Sequence, residues 1–501
     1  MTRPSYARWV LDRGSRTWVL VAVALPLVVL SIDFSGVAVA LPQISRDLDV
    51  PTASAGWVIN AFALGAAGPL LVSGRIADRF GRRRMLLGGV ALFAAGTLAS
   101  ALATTFTILV LARVVQGAAT ALFMPASLSV VSTTFAGERR AWAIGMWSAI
   151  GSTAAAAAPV IGGLVVEALG WRWFFALNVP LLAAAALIIA RVVPESTGDR
   201  RRIDGVGAAL VTASITAVVY GFQEAGSRGW TDPAVLSAIG LGVVIFVAFV
   251  VQQRHVAEPL LERAITRARA YRSPVVVAFL ANWGFGAINI LLTFWLQSVR
   301  GESAATTGLI FLAYSVPFAV LGALTGRVVR RAGTTVPLAV GMALIAGSFL
   351  VLTQLGQTSS LGMVLIAMAL SGVGQGLSYN VSTAAAMSAV PDDSAGVASG
   401  LLTAMRNVGV AAGVAVATLA TTDPRSSSSG AGTGTSIGTS TAVSDAAYTA
   451  GLQHAAWVIA GVSILGILVA LVRPLTSNPE QKENTFSLSS TGVRLAPVGH
   501  Q

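Results

Sequence analysis

Cysteine is absent from this 501-residue chain, which removes disulfides, thiolate nucleophiles and Cys-held metals together. Histidine is scarce: His255, His454 and His500 lie far apart, so no metal site is expected, nor any cofactor. Lysine occurs once, at Lys482. Charged residues of every kind reach only 11%, against roughly a quarter in soluble domains, and that excludes a water-facing surface all round. No nucleophile–base constellation stands out, which argues against an enzyme. What remains is apolar: 55% of the residues are hydrophobic and the mean hydropathy is +0.76. The net charge of +12 does not point to nucleic acid, because the arginines sit in short loops between apolar runs. The expected surroundings are a lipid bilayer, and arginine-rich, alanine-rich usage fits a bacterial cell (inner) membrane.

A helix crosses a bilayer with about 20 apolar residues. Fourteen runs qualify: 17–41, 54–74, 85–104, 107–134, 141–166, 171–192, 204–223, 233–252, 273–297, 304–326, 335–354, 360–389, 394–421 and 450–472. The first contains "AVA" at 38–40, which mimics a signal-peptide cleavage site. Its length and its Asp33 argue for a retained helix instead. Loop cations set the orientation. One set of alternate loops holds nearly all of them; the other holds only Arg46, Arg172, Arg228, Arg300 and Arg425. Both termini are therefore expected in the cytoplasm.

The chain also repeats itself. "GRIADRFGRRRMLLGG" from Gly74 is echoed by "GRVVRRAGTTVPLAVG" from Gly326, and "RVVQGAATALFMPAS" by "GVGQGLSYNVSTAAA", with Gln116 matching Gln375. Two six-helix halves with an inserted pair would produce this pattern, which is the signature of secondary transporters. The expected division is a cytoplasmic segment 1–16, a first half 17–192, helices 7 and 8 with their loops in 193–272, a second half 273–473 and a tail 474–501. Within the second half, 421–447 reads as a flexible, Ser/Gly/Thr-rich external loop, and the tail reads as disordered.

In the first half two ionisable residues, Asp33 and Arg113, lie in the interior of predicted spans. At 1.5 Å per residue they sit about 12 Å and about 9 Å from the same membrane face, so the two can share a level. A static ion pair joining helices 1 and 4 is one reading. The other is function, the default for an ionisable group in hydrocarbon, because an arginine near a carboxylate favours its ionised form and its withdrawal permits protonation.

Several ordered motifs resemble the major facilitator superfamily, in particular its fourteen-helix drug:proton antiporters of the QacA/EmrB type. "GRIADRFGRRR" resembles the signature of loop 2–3, "LARVVQGAATA" the fourth-helix motif, and "IDFSGVAVALPQISRDL" the first-helix motif. "IDGVGAAL" with "GFQEAGSRGW", and "GLLTAMRNVGVAAGVAVA", are similar to helices 7 and 13 of that group. The resemblance implies an all-α membrane protein of the major facilitator fold, with fourteen transmembrane helices. It also implies alternating-access efflux of multiple drugs or antibiotics in exchange for protons, hence an antibiotic-resistance role. A narrow exporter of an endogenous metabolite or self-made antibiotic would share every motif. A proton symporter, a channel and a receptor are less favoured.

For individual residues the resemblance implies proton coupling, or recognition of a cation, at Asp33 and Arg113. It implies conformational gating at Gly74, Asp78, Arg79, Gly81 and Arg82. The antiporter motif of helix 5 is kept at Pro159, Gly162 and Gly163, whereas Ala154 and Ala158 replace its two earlier glycines. Helices 1, 4, 9 and 12 would line a cavity for a small amphipathic substrate, with a cation as one form of it. The candidates there are Phe123, Met124, Asn282, Trp283, Asn289, Trp295, Gln375, Tyr379 and Asn380. Interfacial anchoring is the competing explanation for the tryptophans. Arg406 is a further buried charge with either a packing or a functional role. Glu167 and Glu224, near helix ends, are auxiliary acids or solvated interface residues. A monomer is expected.

Overall fold

The computed structural model describes residues 13–135, 138–195, 204–256, 268–390, 395–419 and 445–471. Apolar runs that cannot hydrogen-bond to lipid must satisfy their backbone internally, and among the described residues they do so as helices. The first half contains α1 (Arg13–Asp47), α2 (Trp57–Phe80), α3 (Arg82–Ala101), α4 (Phe106–Thr134), α5 (Glu138–Leu169) and α6 (Trp171–Val192). Then come α7 (Gly205–Arg228) and α8 (Pro233–Gln252). The second half contains α9 (Arg269–Phe294), α10 (Ala304–Ala332), α11 (Thr335–Leu352), α12 (Leu361–Ser388), α13 (Ala395–Leu419) and α14 (Asp445–Leu471). Among the described residues, thirteen of these are long and apolar enough to cross a membrane. The remaining one, α2, runs 24 residues, with Trp57–Ala66 as its described apolar part.

The halves repeat each other in packing as well as in sequence. In the first, α1 packs on α5 and α6, α2 on α4, and α3 on α4 and α6. The second does the same with α9 on α13 and α14, α10 on α12, and α11 on α12 and α14. The halves meet through α2 with α13 and α5 with α10. The inserted pair packs on itself, and α7 also contacts α2 and α13. Asp204 ties that pair together. Its carboxylate caps α7 by accepting from Gly207 N at 2.8 Å, and it accepts from Gln253 Nε2 of the α8 end at 2.6 Å.

Two local departures from the sequence reading have simple causes. The segment expected as loop 2–3 is almost wholly helical: α2 continues to Phe80, α3 begins at Arg82, and Gly81 alone breaks the run. Residues 75–80 are mostly good helix formers. Gly81 has φ +94°, which a side chain would oppose. At the other end of the bundle, α9 ends in a π-turn, Trp295–Val299. That turn carries Gln297 toward α1, where its Nε2 donates to Val39 O at 3.0 Å.

Candidate functional site

The centre of the first half is a charge-neutral polar network in an apolar surround, in which Arg113 Nη2 has no hydrogen-bond partner. Asp33 of α1 and Arg113 of α4 are both fully buried, and Arg113 Nη1 forms an ion pair with Asp33 Oδ2. Arg113 Nε donates to Val58 O of α2 at 2.9 Å, and Nη1 also donates to Gln116 Oε1 at 3.0 Å. Residues three apart share a helix face, which is why Gln116 reaches the same carboxylate, donating from Nε2 to Asp33 Oδ1 at 3.5 Å. Gln116 Nε2 also donates to Thr97 Oγ1 of α3 at 2.9 Å, and Ser100 Oγ donates to Gln116 Oε1 at 3.3 Å. The guanidinium lies over Phe62 (4.7 Å, Cζ to ring centroid) and near Phe175 of α6 (5.8 Å). Five helices therefore converge on one charge pair. If Asp33 lost its charge, the Val58 carbonyl, Gln116 and the Phe62 ring would still hold Arg113 in place, although none of them neutralises it.

The second half holds its buried arginine differently. Arg406 of α13 is 6% exposed, and its Nη2 donates to Tyr379 O, Thr383 Oγ1 and Ser382 Oγ of α12 at 2.6, 2.7 and 3.1 Å. Its Cζ lies 3.6 Å from the Tyr379 ring centroid, and its Nε has no hydrogen-bond partner. Among the described residues no carboxylate forms an ion pair with it.

The remaining candidates scatter. Phe123 is 1% exposed and packs edge-on against Phe93 inside the first half. Trp295 is fully buried at the α9 end. Neither offers a face to a cavity in this conformation, because each completes an apolar core. Asn282 and Asn289 spend their amide protons on the carbonyls of Ala278 and Phe285 one turn back, each at 2.8 Å, and Asn380 does likewise with Gly376 O at 3.0 Å. Gln375 is buried with Oε1 unpartnered. Met124, Trp283 and Tyr379 are half-buried.

Of the gating candidates, Gly81 makes the α2–α3 break and Arg82 opens α3. Gly74 lies within α2, and the side chains of Asp78 and Arg79 lie outside what is described. In helix 5, a Cβ at Gly163 would collide with Ala304 O of α10, and one at Gly308 with Pro159 O. Gly162 instead approaches Gly36 O of α1. Pro159 and Gly163 thus belong to the contact between the halves. Glu167, beyond them, accepts from Ala305 N at the start of α10 at 2.9 Å. Glu224 is paired within its own helix, accepting from Arg228 Nε at 2.8 Å.

Sequence does not reveal Val58, Thr97 or the Phe62 ring as partners of the pair, and it marks Gln116 through the repeat and the fourth-helix motif without giving it a partner. Its i+3 spacing from Arg113 was the available signal for Gln116. A backbone carbonyl such as that of Val58 leaves no signal in sequence.

Residues 23–414 match the family model of the Major Facilitator Superfamily. The chain belongs to that superfamily. Multidrug resistance protein Stp of Mycobacterium tuberculosis (strain CDC 1551 / Oshkosh) is 34% identical over 399 residues, covering 79% of this chain and 74% of its own length. Puromycin resistance protein pur8 of Streptomyces alboniger is 32% identical over 491 residues, 96% of this chain and 95% of its own. Tetracenomycin C resistance and export protein of Streptomyces glaucescens is 32% identical over 404 residues, 80% and 75% respectively. Among solved structures, a POT family transporter in complex with a thioalcohol-conjugated peptide superposes with a TM-score of 0.66 at 13% identity, over 92% of this chain and 96% of that one. That likeness is one of fold. As a major facilitator superfamily member the chain is a multi-pass transporter, and the buried pair lies between helices of its first half.

Proposed function

We propose that this chain is a proton-coupled efflux transporter for small amphipathic drugs or antibiotics, working by alternating access in a bacterial inner membrane with both termini in the cytoplasm. The observation that carries the reading is the Asp33–Arg113 pair, fully buried and braced by Gln116. With the termini inside, the contacts of Gln297 with Val39, Gly163 with Ala304 and Glu167 with Ala305 lie at the external face. The halves are held together there.

In the cycle, the external face opens and a proton reaches Asp33. Neutralisation releases Arg113 from the carboxylate while Val58 O, Gln116 and Phe62 retain it, and α1 can then shift against α4. Substrate leaves outward, the external contacts re-form, and loss of the proton to the cytoplasm restores the ion pair. Two of the three relatives above carry a single antibiotic in their names, which supports a narrow substrate range as the second reading.

The test is accumulation of puromycin, tetracenomycin C and ethidium in energised cells, with and without an uncoupler, for wild type, Asp33→Asn and empty vector at matched expression. Uncoupler-sensitive exclusion of at least one compound, lost in Asp33→Asn, is the expected result. Exclusion that is insensitive to the uncoupler, or that persists in Asp33→Asn, would overturn the assigned coupling.

A further inference from the structure

The two buried arginines stand at opposite ends of one continuous file of aromatic rings. From Arg113 the file runs through Phe62 of α2 and Phe34 of α1, whose centroids are 5.7 Å apart, then crosses to Phe285 of α9 at 6.2 Å with the rings 17° from parallel. It continues to Tyr314 of α10 at 5.8 Å, Phe318 at 6.1 Å and nearly parallel, and Tyr379 of α12 at 5.8 Å. Arg406 closes it, stacked on Tyr379. The file bridges the two halves at Phe34 and Phe285, so rocking of one half against the other must break or remake it. Phe34, Phe285, Phe318 and Tyr379 are only half-buried and leave ring surface for a guest. Aromatic rings hold aromatic guests by offset or edge-on stacking.

The ends of the file differ in charge. At the Phe62 end, Asp33 is matched by Arg113 and also bonded to Gln116, so the site offers no spare negative charge to a cation. At the Tyr379 end, Arg406 has only neutral acceptors among the described residues, all on Nη2, and a bare Nε. A buried guanidinium without a carboxylate is costly. Within a membrane such a group marks a site that something uses. Its planar fork matches a carboxylate in the same plane.

We propose that Arg406 is the substrate-recognition cation of this transporter, and that its substrates are planar aromatic molecules bearing a carboxylate or an ionised phenol. The aromatic body lies along Phe285, Phe318 and Tyr379, and the anionic group meets Arg406. The proposal rests on the transporter reading above and replaces the cation expected from Asp33 with an anion.

The experiment is equilibrium binding to the purified full chain in detergent, with no proton gradient, read by fluorescence of two probes of one shape. These are anthracene-9-carboxylate and 9-(aminomethyl)anthracene. Wild type is expected to bind the carboxylate at least about tenfold more tightly than the amine, and Arg406→Gln to lose at least about tenfold for the carboxylate while the amine changes by less than about twofold. Arg406→Lys keeps the order of preference. Phe318→Ala weakens both probes. Equal binding of the two probes by wild type, no binding of either, or undiminished carboxylate binding by folded Arg406→Gln would overturn the proposal. Should Arg406→Gln not fold, the wild-type ratio and Arg406→Lys decide. A carboxylate preference without proton-driven transport would leave the site standing and sink only the coupling.

Discussion

The two halves share a fold and a packing order but treat their buried charge in opposite ways. In the first half, Arg113 is paired with Asp33, and neighbouring helices contribute further partners, from Val58 O to Thr97 by way of Gln116. In the second half, the position that matches Arg113 by the same offset is Gly372, which lets α12 press against the backbone of Tyr314. There Gln375 keeps the place of Gln116 but leaves Oε1 unpartnered, and Ser348 on the neighbouring α11 is likewise buried and unpartnered. The duplicated frame thus keeps a buried arginine neutralised by a carboxylate on one side. On the other it keeps Arg406, on a different helix, with no carboxylate partner among the described residues. An arginine paired with a carboxylate suits a group that gains and loses a proton; an arginine without one suits a group that waits for an anionic ligand.

The largest effect should come from splitting the pair. Asp33→Ala or Arg113→Ala strands a buried charge and is expected to cost about 3–5 kcal/mol, read as a lower melting temperature in detergent. The double variant Asp33→Asn/Arg113→Gln removes both charges and should recover most of that stability without recovering proton-driven transport. Recovery of both would reduce the pair to a structural tie and erase the contrast between the halves.

Next comes the seam on which any rocking depends. Gly163→Leu puts a side chain against Ala304 O and should hold the external face apart. Transport then falls to background in a folded protein. Since the chain has no native cysteine, a single cysteine placed at Phe285 should become more reactive toward a membrane-impermeant maleimide added outside. Unchanged labelling would mean that α5 and α10 do not gate the external face.

A smaller pair of substitutions compares a bonded buried hydroxyl, Thr97, with an unpartnered one, Ser348. Thr97→Val removes the acceptor for Gln116 and should cost about 1–2 kcal/mol, whereas Ser348→Ala deletes a buried hydroxyl that bonds to nothing and should cost nothing measurable. Equal losses in thermal unfolding would contradict the difference drawn between Thr97 and Ser348. The weakest effect is predicted for Glu224→Gln. Its partner Arg228 is half-exposed on the same helix, and exposed pairs contribute little, so efflux should be unchanged.

Much of this was readable from sequence. Apolar length gave the spans, the repeated motifs gave the halves, and counting residues from the membrane faces brought Asp33 and Arg113 to one level. What escaped has physical reasons. The carbonyl of Val58 is a backbone group and carries no sequence mark. The aromatic file is assembled from α1, α2, α9, α10 and α12, and no single helix reveals it. Phe123 and Trp295 carry the same side-chain chemistry as cavity-lining residues and differ only in which way their helices are turned. The "GRIADRF" run was expected as a loop because it is charged, although five of its seven residues favour helix or tolerate it and only Gly81 after it stops the turn.

The most direct test of the account is gradient-driven accumulation in proteoliposomes of purified protein, with an imposed proton gradient and puromycin, tetracenomycin C and anthracene-9-carboxylate as cargo, for wild type and Asp33→Asn/Arg113→Gln. The account predicts that wild type concentrates at least one cargo against its gradient. It predicts that the double variant only equilibrates that cargo, at a melting temperature close to wild type. Uphill accumulation by the double variant would contradict the account and place proton coupling outside the Asp33–Arg113 pair.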